Sequence, residues 1–270
     1  MSRLPLQVTG LAVVLLTLGC HALARQRGGR GLGRSLTALL LVYAAAHIAF
    51  VGFLCFNHAA FPLNLEAMEL TVLEHVRRIA QGSLLYVDPS ADFVPLAYNP
   101  LYYYVSLPVV WAFGTRLLSL RLVAILGMVG SGIVLYLATL RGTGSHRWAG
   151  LAAGLFAASY RVMDTYLDNA HCDSLFLLAL LLGVYLVDLR RSWATDLVGL
   201  LFLVASFWLK QPGALFALAA LVYLTVRHGW QRSWLFWLLA LGLGPVLYVL
   251  APSFLGPRFH YFTWAVPRQW

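Results

Sequence analysis

The sequence predicts an all-α integral membrane protein with about eight transmembrane helices. Of its 270 residues, 61% are hydrophobic and only 11% are charged, and the mean hydropathy is +0.77. Soluble domains contain roughly 45–50% apolar and roughly 25% charged residues. The apolar residues also form separate blocks with arginines between them, as expected where lipid surrounds the protein. This placement of the arginines explains the net charge of +9 without a nucleic-acid partner.

Eight apolar blocks mark the predicted membrane helices of a single polytopic domain, residues 1–270. Several blocks are shorter than the ~20 residues of an ideal span, which indicates tilted or broken helices. The predicted spans are 6–24, 36–56, 120–140, 148–163, 173–189, 196–209, 212–226 and 233–252.

Short arginine-rich loops predict which side of the membrane each loop faces, because cytoplasmic loops are enriched in Lys and Arg. The first such loop directly follows the first block, which favours an uncleaved helix over a cleaved signal peptide. The segments 57–119, 161–173 and 210–211 and the C-terminal tail are then external, provided that 101–119 does not cross. The arginines in the four loops are Arg25, Arg27, Arg30, Arg34, Arg141, Arg147, Arg190, Arg191, Arg227 and Arg232.

The long external loop, 57–119, is predicted to carry an amphipathic helix over about 65–81 that lies on the membrane surface. Apolar residues recur there at three- and four-residue intervals, and Gly82 ends the helix. The later stretch from Tyr102 to Gly114 has about 13 residues, too few for a full crossing, and its aromatic residues suit an interface.

Most acidic residues fall on the predicted external side, where membrane insertion does not require them. Glu66 and Glu69 lie near the start of the surface helix, where the helix dipole favours anions, so a structural role there stays open. Asp168 and Asp173 directly precede an apolar span, where a charge drawn into lipid is costly. Helix capping is the alternative for Asp173.

Lys210 is the only lysine, and it lies in a predicted break between two apolar blocks, beside Gln211 and Pro212-Gly213. A lysine that reaches from the helix end to the interface is the alternative. A carboxylate can deprotonate a hydroxyl nucleophile, and a phosphate leaving group needs positive charge. Lys210, Arg258 or a carboxylate-bound Mg²⁺ or Mn²⁺ could supply that charge. The external groups therefore suit a reaction at a lipid-borne phosphate.

Three stretches resemble a known family. PLNLEAMELTVLEHVRRIAQGSLLYVDPSADFVPLAYNPLYYYVSLP resembles the first external loop of polytopic glycosyltransferases of the C superfamily, in the protein-mannosyltransferase, aminoarabinose-transferase and RgtA/B/C/D-like group. LDNAHCDSLFL resembles the second acidic loop of that group, and LKQPG resembles a Lys-Gln turn of many relatives. The matching positions are Glu69, Gly82, Tyr86, Tyr98, Pro100, Leu101, Tyr102, Asp168, Asp173, Lys210 and Gln211.

The resemblance implies a multi-pass glycosyltransferase of the plasma (inner) membrane with its active site on the external or periplasmic face. It would move a hexose or pentose, with inversion, from a polyprenyl-phosphate donor to a hydroxyl of a lipid, glycan or protein. Glu69 would be the catalytic base, chosen by its spacing to Gly82, with Glu66 in reserve. Asp168 and Asp173 would orient the acceptor or bind Mg²⁺ or Mn²⁺. The donor phosphate would contact Lys210, Gln211 and Arg258.

Two other functions stay open at the level of sequence. The external carboxylates could serve a transporter or flippase, whose acids are expected near the membrane midplane on broken helices. A non-catalytic membrane assembly subunit is the other alternative. Relatives continue with further spans after a loop like FHYFTWAVPRQW, whereas this sequence ends at Trp270, so a truncated member is the expectation.

Overall fold

The computed structural model describes residues 30–163 and 166–269, together with residues 18, 19 and 22. This part of the chain is helical and contains no strand, which confirms the all-α prediction. Most of the predicted span 6–24 lies outside the described residues. The helices are α1 (Arg30–Ala59), α2 (Glu69–Ala80), α3 (Leu101–Phe113), α4 (Leu117–Thr143), α5 (His146–Ala158), α6 (Asp173–Leu189), α7 (Trp193–Leu209), α8 (Gly213–His228), α9 (Trp230–Leu241), α10 (Leu247–Leu250) and α11 (Pro252–Leu255).

Three described helical segments are long and apolar enough to cross a membrane: Gly33–Ala59, Leu117–Thr143 and Trp230–Leu250. The last one joins α9 and α10 through a π-helical turn, Gly242–Val246, that contains Pro245. Proline has no N–H to donate, which accounts for the irregular turn. These segments indicate a membrane protein, whereas the count of about eight spans stays a prediction.

Two helices differ from the predicted bounds. Helix α1 is described from Arg30 onward, so it includes residues 30–35, before the predicted span 36–56. Helix α2 begins at Glu69 rather than at 65, because the preceding turn is held by side chains instead of helical hydrogen bonds. In that turn the Glu69 carboxylate accepts the Leu65 N–H, and the Glu66 carboxylate accepts the Met68 N–H. Gly82, with φ +73°, follows the helix as predicted.

Small residues allow neighbouring helices to approach closely. A Cβ added at Gly127 of α4 would lie 2.8 Å from the backbone of Ser174 and Leu175, in the first turn of α6. Gly183 of α6 and Gly199 of α7 face each other's backbone in the same way. Close backbone contact at small residues is typical of helix packing in membranes. The first turn of α6 is therefore fixed against α4, and this turn carries Asp173.

The four segments predicted to be external contact one another. The Ala170 N–H donates to Glu69, which joins the 161–173 loop to the 57–119 loop. The Gln211 side chain donates to the carbonyls of Ala97 and Thr263 and so joins the 210–211 turn to the first loop and the C-terminal tail. The grouping of these segments at one end of the helices agrees with the loop assignment, while the membrane face that they occupy stays a prediction.

The last three predicted cytoplasmic loops also contact helix ends beside one another. Arg141, after α4, donates to the Leu189 carbonyl at the end of α6. Arg227, at the end of α8, donates to Asp196 in the first turn of α7. These arginines thus bind groups at helix ends on the side away from Glu69 and Lys210.

Helix α2 carries a buried histidine that the fold keeps neutral. The His75 Nε2 accepts the Leu96 N–H at 2.8 Å, so Nδ1 carries the proton and donates to the Thr71 carbonyl at 2.7 Å. The ring also packs between Phe93 and Tyr103. Burial lowers the pKa of His75 to about 4.

We expect the free energy of unfolding to fall by about 2 kcal/mol between pH 7.5 and pH 5 because of His75. Unfolded histidine binds a proton near pH 6.5, whereas folded His75 does so only near pH 4. Below pH 6.5 the unfolded state therefore gains protons that the folded state does not. Urea unfolding in detergent across this pH range measures the loss. His75→Gln should remove this part of the pH dependence, whereas His47→Gln, at a partly exposed histidine, should keep it. An equal dependence of the unfolding free energy on pH in the wild type and both variants would contradict the role of His75.

Candidate functional site

Three clusters of ionisable side chains lie where the four segments meet. The first contains Glu69 and Arg121, the second contains Asp168 with His58 and Tyr160, and the third contains Asp173 with His171 and Lys210. The three acids come from the loops that the sequence predicts to be external.

Glu69 and Arg121 form a fully buried ion pair between α2 and α4. Both side chains have 0% exposure, and Arg121 donates from Nε and Nη2 to the two carboxylate oxygens at 2.9 and 2.6 Å. The guanidinium also donates to the carbonyls of His58, Phe61 and Leu63 at 2.6–2.8 Å. Arg121 therefore uses all five of its N–H groups and fixes the start of the 57–119 loop onto α4.

The surroundings of Glu69 favour its ionised form. Burial alone would raise the pKa of this carboxyl, but the hydrogen bonds from Arg121 and from the N–H groups of Ala170 and Leu65 outweigh burial and hold the pKa below its ordinary value. Both carboxylate oxygens of Glu69 are therefore occupied and only weakly basic. This suits a structural role in which Glu69 joins three segments of the chain. The role of Glu69 as catalytic base stays a prediction, and so does that of Glu66, whose carboxylate caps the Met68 N–H.

Asp168 is fully buried and orients a histidine. One carboxylate oxygen accepts the Tyr160 hydroxyl and the other accepts His58 Nδ1, both at 2.7 Å. The His58 side chain is 26% exposed, and its Nε2 has no hydrogen bond to the described residues. In enzymes, histidine bases are oriented in this way: a carboxylate binds one ring nitrogen, and the second nitrogen stays free to accept a proton.

Asp173 joins the first turn of α6 to the break between α7 and α8. Its carboxylate accepts Lys210 Nζ at 2.5 Å and contacts His171 Nδ1. The residue in the cap position is Cys172, so the alternative of Asp173 as the N-cap is wrong. The side chains of Asp173 and Lys210 are 25% and 24% exposed, so this ion pair is partly accessible.

The break predicted at Lys210 is confirmed, since α7 ends at Leu209 and α8 begins at Gly213. The Lys210 backbone is extended, and its ammonium lies 5.5 Å from the centroid of the Tyr98 ring. Burial alone would lower the pKa of this lysine, but the electrostatic interactions with Cys172 and with the hydrogen-bonded Asp173 carboxylate outweigh burial and raise the pKa, so the ammonium stays charged.

Of the other predicted site residues, Tyr98 lies beside the Asp173–Lys210 pair, whereas Pro100, Tyr102 and Arg258 make contacts elsewhere. Tyr98 packs edge-on against His171, with ring centroids 5.0 Å apart, and so lies beside the Asp173–Lys210 pair. Pro100 and Tyr102 instead have structural positions. Pro100 precedes the first turn of α3, and the buried Tyr102 hydroxyl donates to the Leu120 carbonyl. Arg258 lies in a different, exposed ion pair with Asp88.

Buried polar atoms without a partner surround the second acidic loop. Within the described part of the chain, the side-chain amide of Asn169 makes no hydrogen bond through either end, and neither does the Nε2 of His171 or the hydroxyl of Ser174. All three residues are at most 3% exposed. Buried polar groups normally have partners, because an unmet one costs roughly 1–3 kcal/mol. These atoms offer donors and acceptors to a polar ligand beside Asp173.

The donor set does not favour Mg²⁺ or Mn²⁺ on Asp168 and Asp173. Among the described residues the two carboxylates have no contact partner in common, and the Lys210 ammonium already neutralises Asp173. Within residues 30–163 and 166–269, the ligand atoms of His171, Cys172 and Asp173 do lie within 4.8 Å of one another. Hard cations prefer several oxygen ligands, and this group offers one carboxylate. The side chains at Asp168 and Asp173 therefore do not fit a site for either cation.

Sequence reasoning did not select Arg121, His58 or Tyr160. A signal existed for Arg121, because it is an isolated charge inside the predicted span 120–140 and such residues are usually functional or paired. Its partner is 52 positions away, and His58 is 110 positions from Asp168, so no local pattern links the pairs.

Comparisons of this chain with protein-family models, with curated proteins and with solved structures found no match.

Proposed function

We propose that this protein is a multi-pass membrane glycosyltransferase that moves a sugar from a polyprenyl-phosphate donor to a hydroxyl acceptor on the non-cytoplasmic face. The observation that carries the proposal is the Asp173–Lys210 pair. A partly exposed, charged lysine lies at the end of α7 and pairs with Asp173, which also contacts His171, whose Nε2 is buried without a partner among the described residues. An ammonium next to unpaired polar groups suits a phosphate joined to a polyhydroxylated ring.

The reaction is a single displacement at the anomeric carbon. A base removes the proton of the acceptor hydroxyl as its oxygen bonds to that carbon. The bond from the carbon to the phosphate oxygen breaks with inversion, and the polyprenyl phosphate leaves with the electron pair. Lys210 stabilises the charge that grows on the leaving phosphate, while Asp173 holds the ammonium in place. The phosphate needs no strong acid to leave.

The location of the acids supports this function over a transporter. Asp173 and Glu69 are the first residues of α6 and α2, and Asp168 lies in the loop before α6. Transport pathways place such groups near the membrane midplane on broken helices. Acids at helix ends, gathered under the 57–119 loop, suit a reaction at the membrane surface instead.

The geometry offers two candidates for the base. Glu69 follows from the resemblance, but its oxygens are occupied by Arg121 and two backbone N–H groups. His58 is oriented by Asp168 and has Nε2 available on a partly exposed side chain. The geometry therefore favours His58, with Asp168 and Tyr160 as positioning residues.

Sugar transfer by single variants tests the choice of base. We expect His58→Gln to lower kcat by about 10²–10⁴-fold without loss of donor binding, because a base acts on the chemical step. His47→Gln is the matched control, since His47 is a partly exposed histidine of the same helix that bonds to the Tyr43 carbonyl. Added imidazole should partly restore a His58→Ala variant. Full activity of His58→Gln, together with a folded but inactive Glu69→Gln, would return the role to Glu69.

A further inference from the structure

A second binding feature lies on the helices far from Lys210. A groove with a volume of about 290 Å³ runs between α6 and α8, with one wall from α7. Asp188, in its lining, follows Asp173 by 15 residues on α6, which is roughly 22 Å along the helix axis. The groove is therefore separate from the site proposed for sugar transfer and does not depend on that function.

The groove is apolar at one end and charged at the other. Val184, Leu203 and Phe216 line the apolar part, whereas Asp188 and Arg190 lie about 6–9 Å further along α6. Tyr223 lines the charged end, where the Arg190 guanidinium carbon lies 5.8 Å from the ring centroid. An apolar channel that ends in charged groups matches an amphiphile rather than a soluble metabolite.

The two charges in the groove are available to a ligand. Neither the Asp188 carboxylate nor the Arg190 guanidinium has a hydrogen bond or an ion pair with the described residues, apart from the contact of Arg190 with Tyr223. Two other arginines at this end of the helices are engaged elsewhere: Arg141 binds the Leu189 carbonyl and Arg227 binds Asp196. The groove thus offers one negative and one positive group, two residues apart.

We propose that this groove binds phosphatidylethanolamine. Its phosphate would contact Arg190, its primary ammonium would donate to Asp188, and the start of one acyl chain would lie against Val184 and Phe216. An anionic lipid meets repulsion from Asp188, and a choline headgroup has no N–H to donate to the carboxylate. The volume is near the lower limit of roughly 300–1,000 Å³ for ligand pockets, so it holds a headgroup and a short length of chain.

Native mass spectrometry of the full-length, delipidated protein in detergent tests this proposal. The probes are phosphatidylethanolamine, phosphatidylcholine and phosphatidylglycerol with identical acyl chains. We expect the wild type to bind phosphatidylethanolamine about fivefold more tightly than the other two lipids. Asp188→Asn should remove this preference, and Arg190→Gln should weaken binding of all three lipids by about fivefold. Arg191→Gln, at an exposed neighbour outside the groove, is the matched control and should change nothing.

Three outcomes would overturn the assignment. They are equal binding of the three lipids to the wild type, a preference that survives Asp188→Asn, and an effect of Arg191→Gln as large as that of Arg190→Gln. Asp188 and Arg190 are exposed, so their variants should keep the wild-type melting temperature, and this check separates lost lipid binding from lost folding.

Discussion

Arg121→Gln is expected to destabilise the protein by about 3–5 kcal/mol, because it leaves the Glu69 carboxylate buried without its cation. Glutamine also cannot reproduce the five hydrogen bonds with which the guanidinium holds Glu69 and the carbonyls of His58, Phe61 and Leu63. Arg121→Lys should recover only part of the loss, because an ammonium has three donors and lacks the planar fork. Urea unfolding in detergent at pH 7.5 measures the difference.

The double variant Glu69→Leu with Arg121→Met is the control for this prediction. Apolar replacement of a whole buried ion pair is often neutral, so the double variant should be more stable than Arg121→Gln alone. It still loses the carbonyl contacts of the 57–119 loop and should remain below the wild type. An Arg121→Gln protein as stable as the wild type would show that this ion pair does not hold the loop on α4.

Lys210→Gln is expected to lower kcat for sugar transfer by about 10²–10³-fold, the typical cost of removing one group that stabilises transition-state charge. Lys210→Arg should keep most of the activity, because it keeps the charge. Asp173→Asn should lower kcat less than Lys210→Gln does, because the ammonium of Lys210 stays and loses only its ion-pair partner. Initial rates at saturating donor give kcat for each variant.

The matched control for this second prediction is Arg258→Gln. Arg258 is predicted from sequence to bind the donor phosphate, yet it lies in an exposed ion pair with Asp88. A lower kcat for Lys210→Gln, with little change in kcat for Arg258→Gln, supports a phosphate site at the Asp173–Lys210 pair between α6 and α7. Equal losses would place the phosphate nearer to the C-terminal tail, and wild-type activity in Lys210→Gln would remove Lys210 from the site.

Sequence patterns predicted the helices well because composition and charge act locally. The blocks 173–189 and 196–209 and the break at Lys210 agree with the helices Asp173–Leu189 and Trp193–Leu209. The start of α2 was not predictable, because it depends on how the carboxylates of Glu66 and Glu69 bond to nearby N–H groups. Apolar periodicity carries no information about such side-chain bonds.

The candidate site was predicted less completely than the helices. Asp173 and Lys210 could be selected because each is a charge beside apolar residues, and the structure pairs them across 37 positions. The pairing of Asp168 with His58 and Tyr160, and of Glu69 with Arg121, depends on which helix ends the tertiary packing brings together. No spacing within one segment encodes these contacts.

Sugar transfer by the purified wild-type protein in liposomes is the measurement that bears most directly on the proposed glycosyltransferase function. Radiolabelled polyprenyl-phosphate hexoses and pentoses serve as donors, and membrane extracts supply lipid, glycan and protein acceptors. We expect the label of one donor to move to an acceptor, and Lys210→Gln, folded as judged by its melting temperature, to move about 10²–10³-fold less. Wild-type protein that binds and transfers none of the donors, or a folded Lys210→Gln protein that transfers at the wild-type rate, would contradict the proposed function.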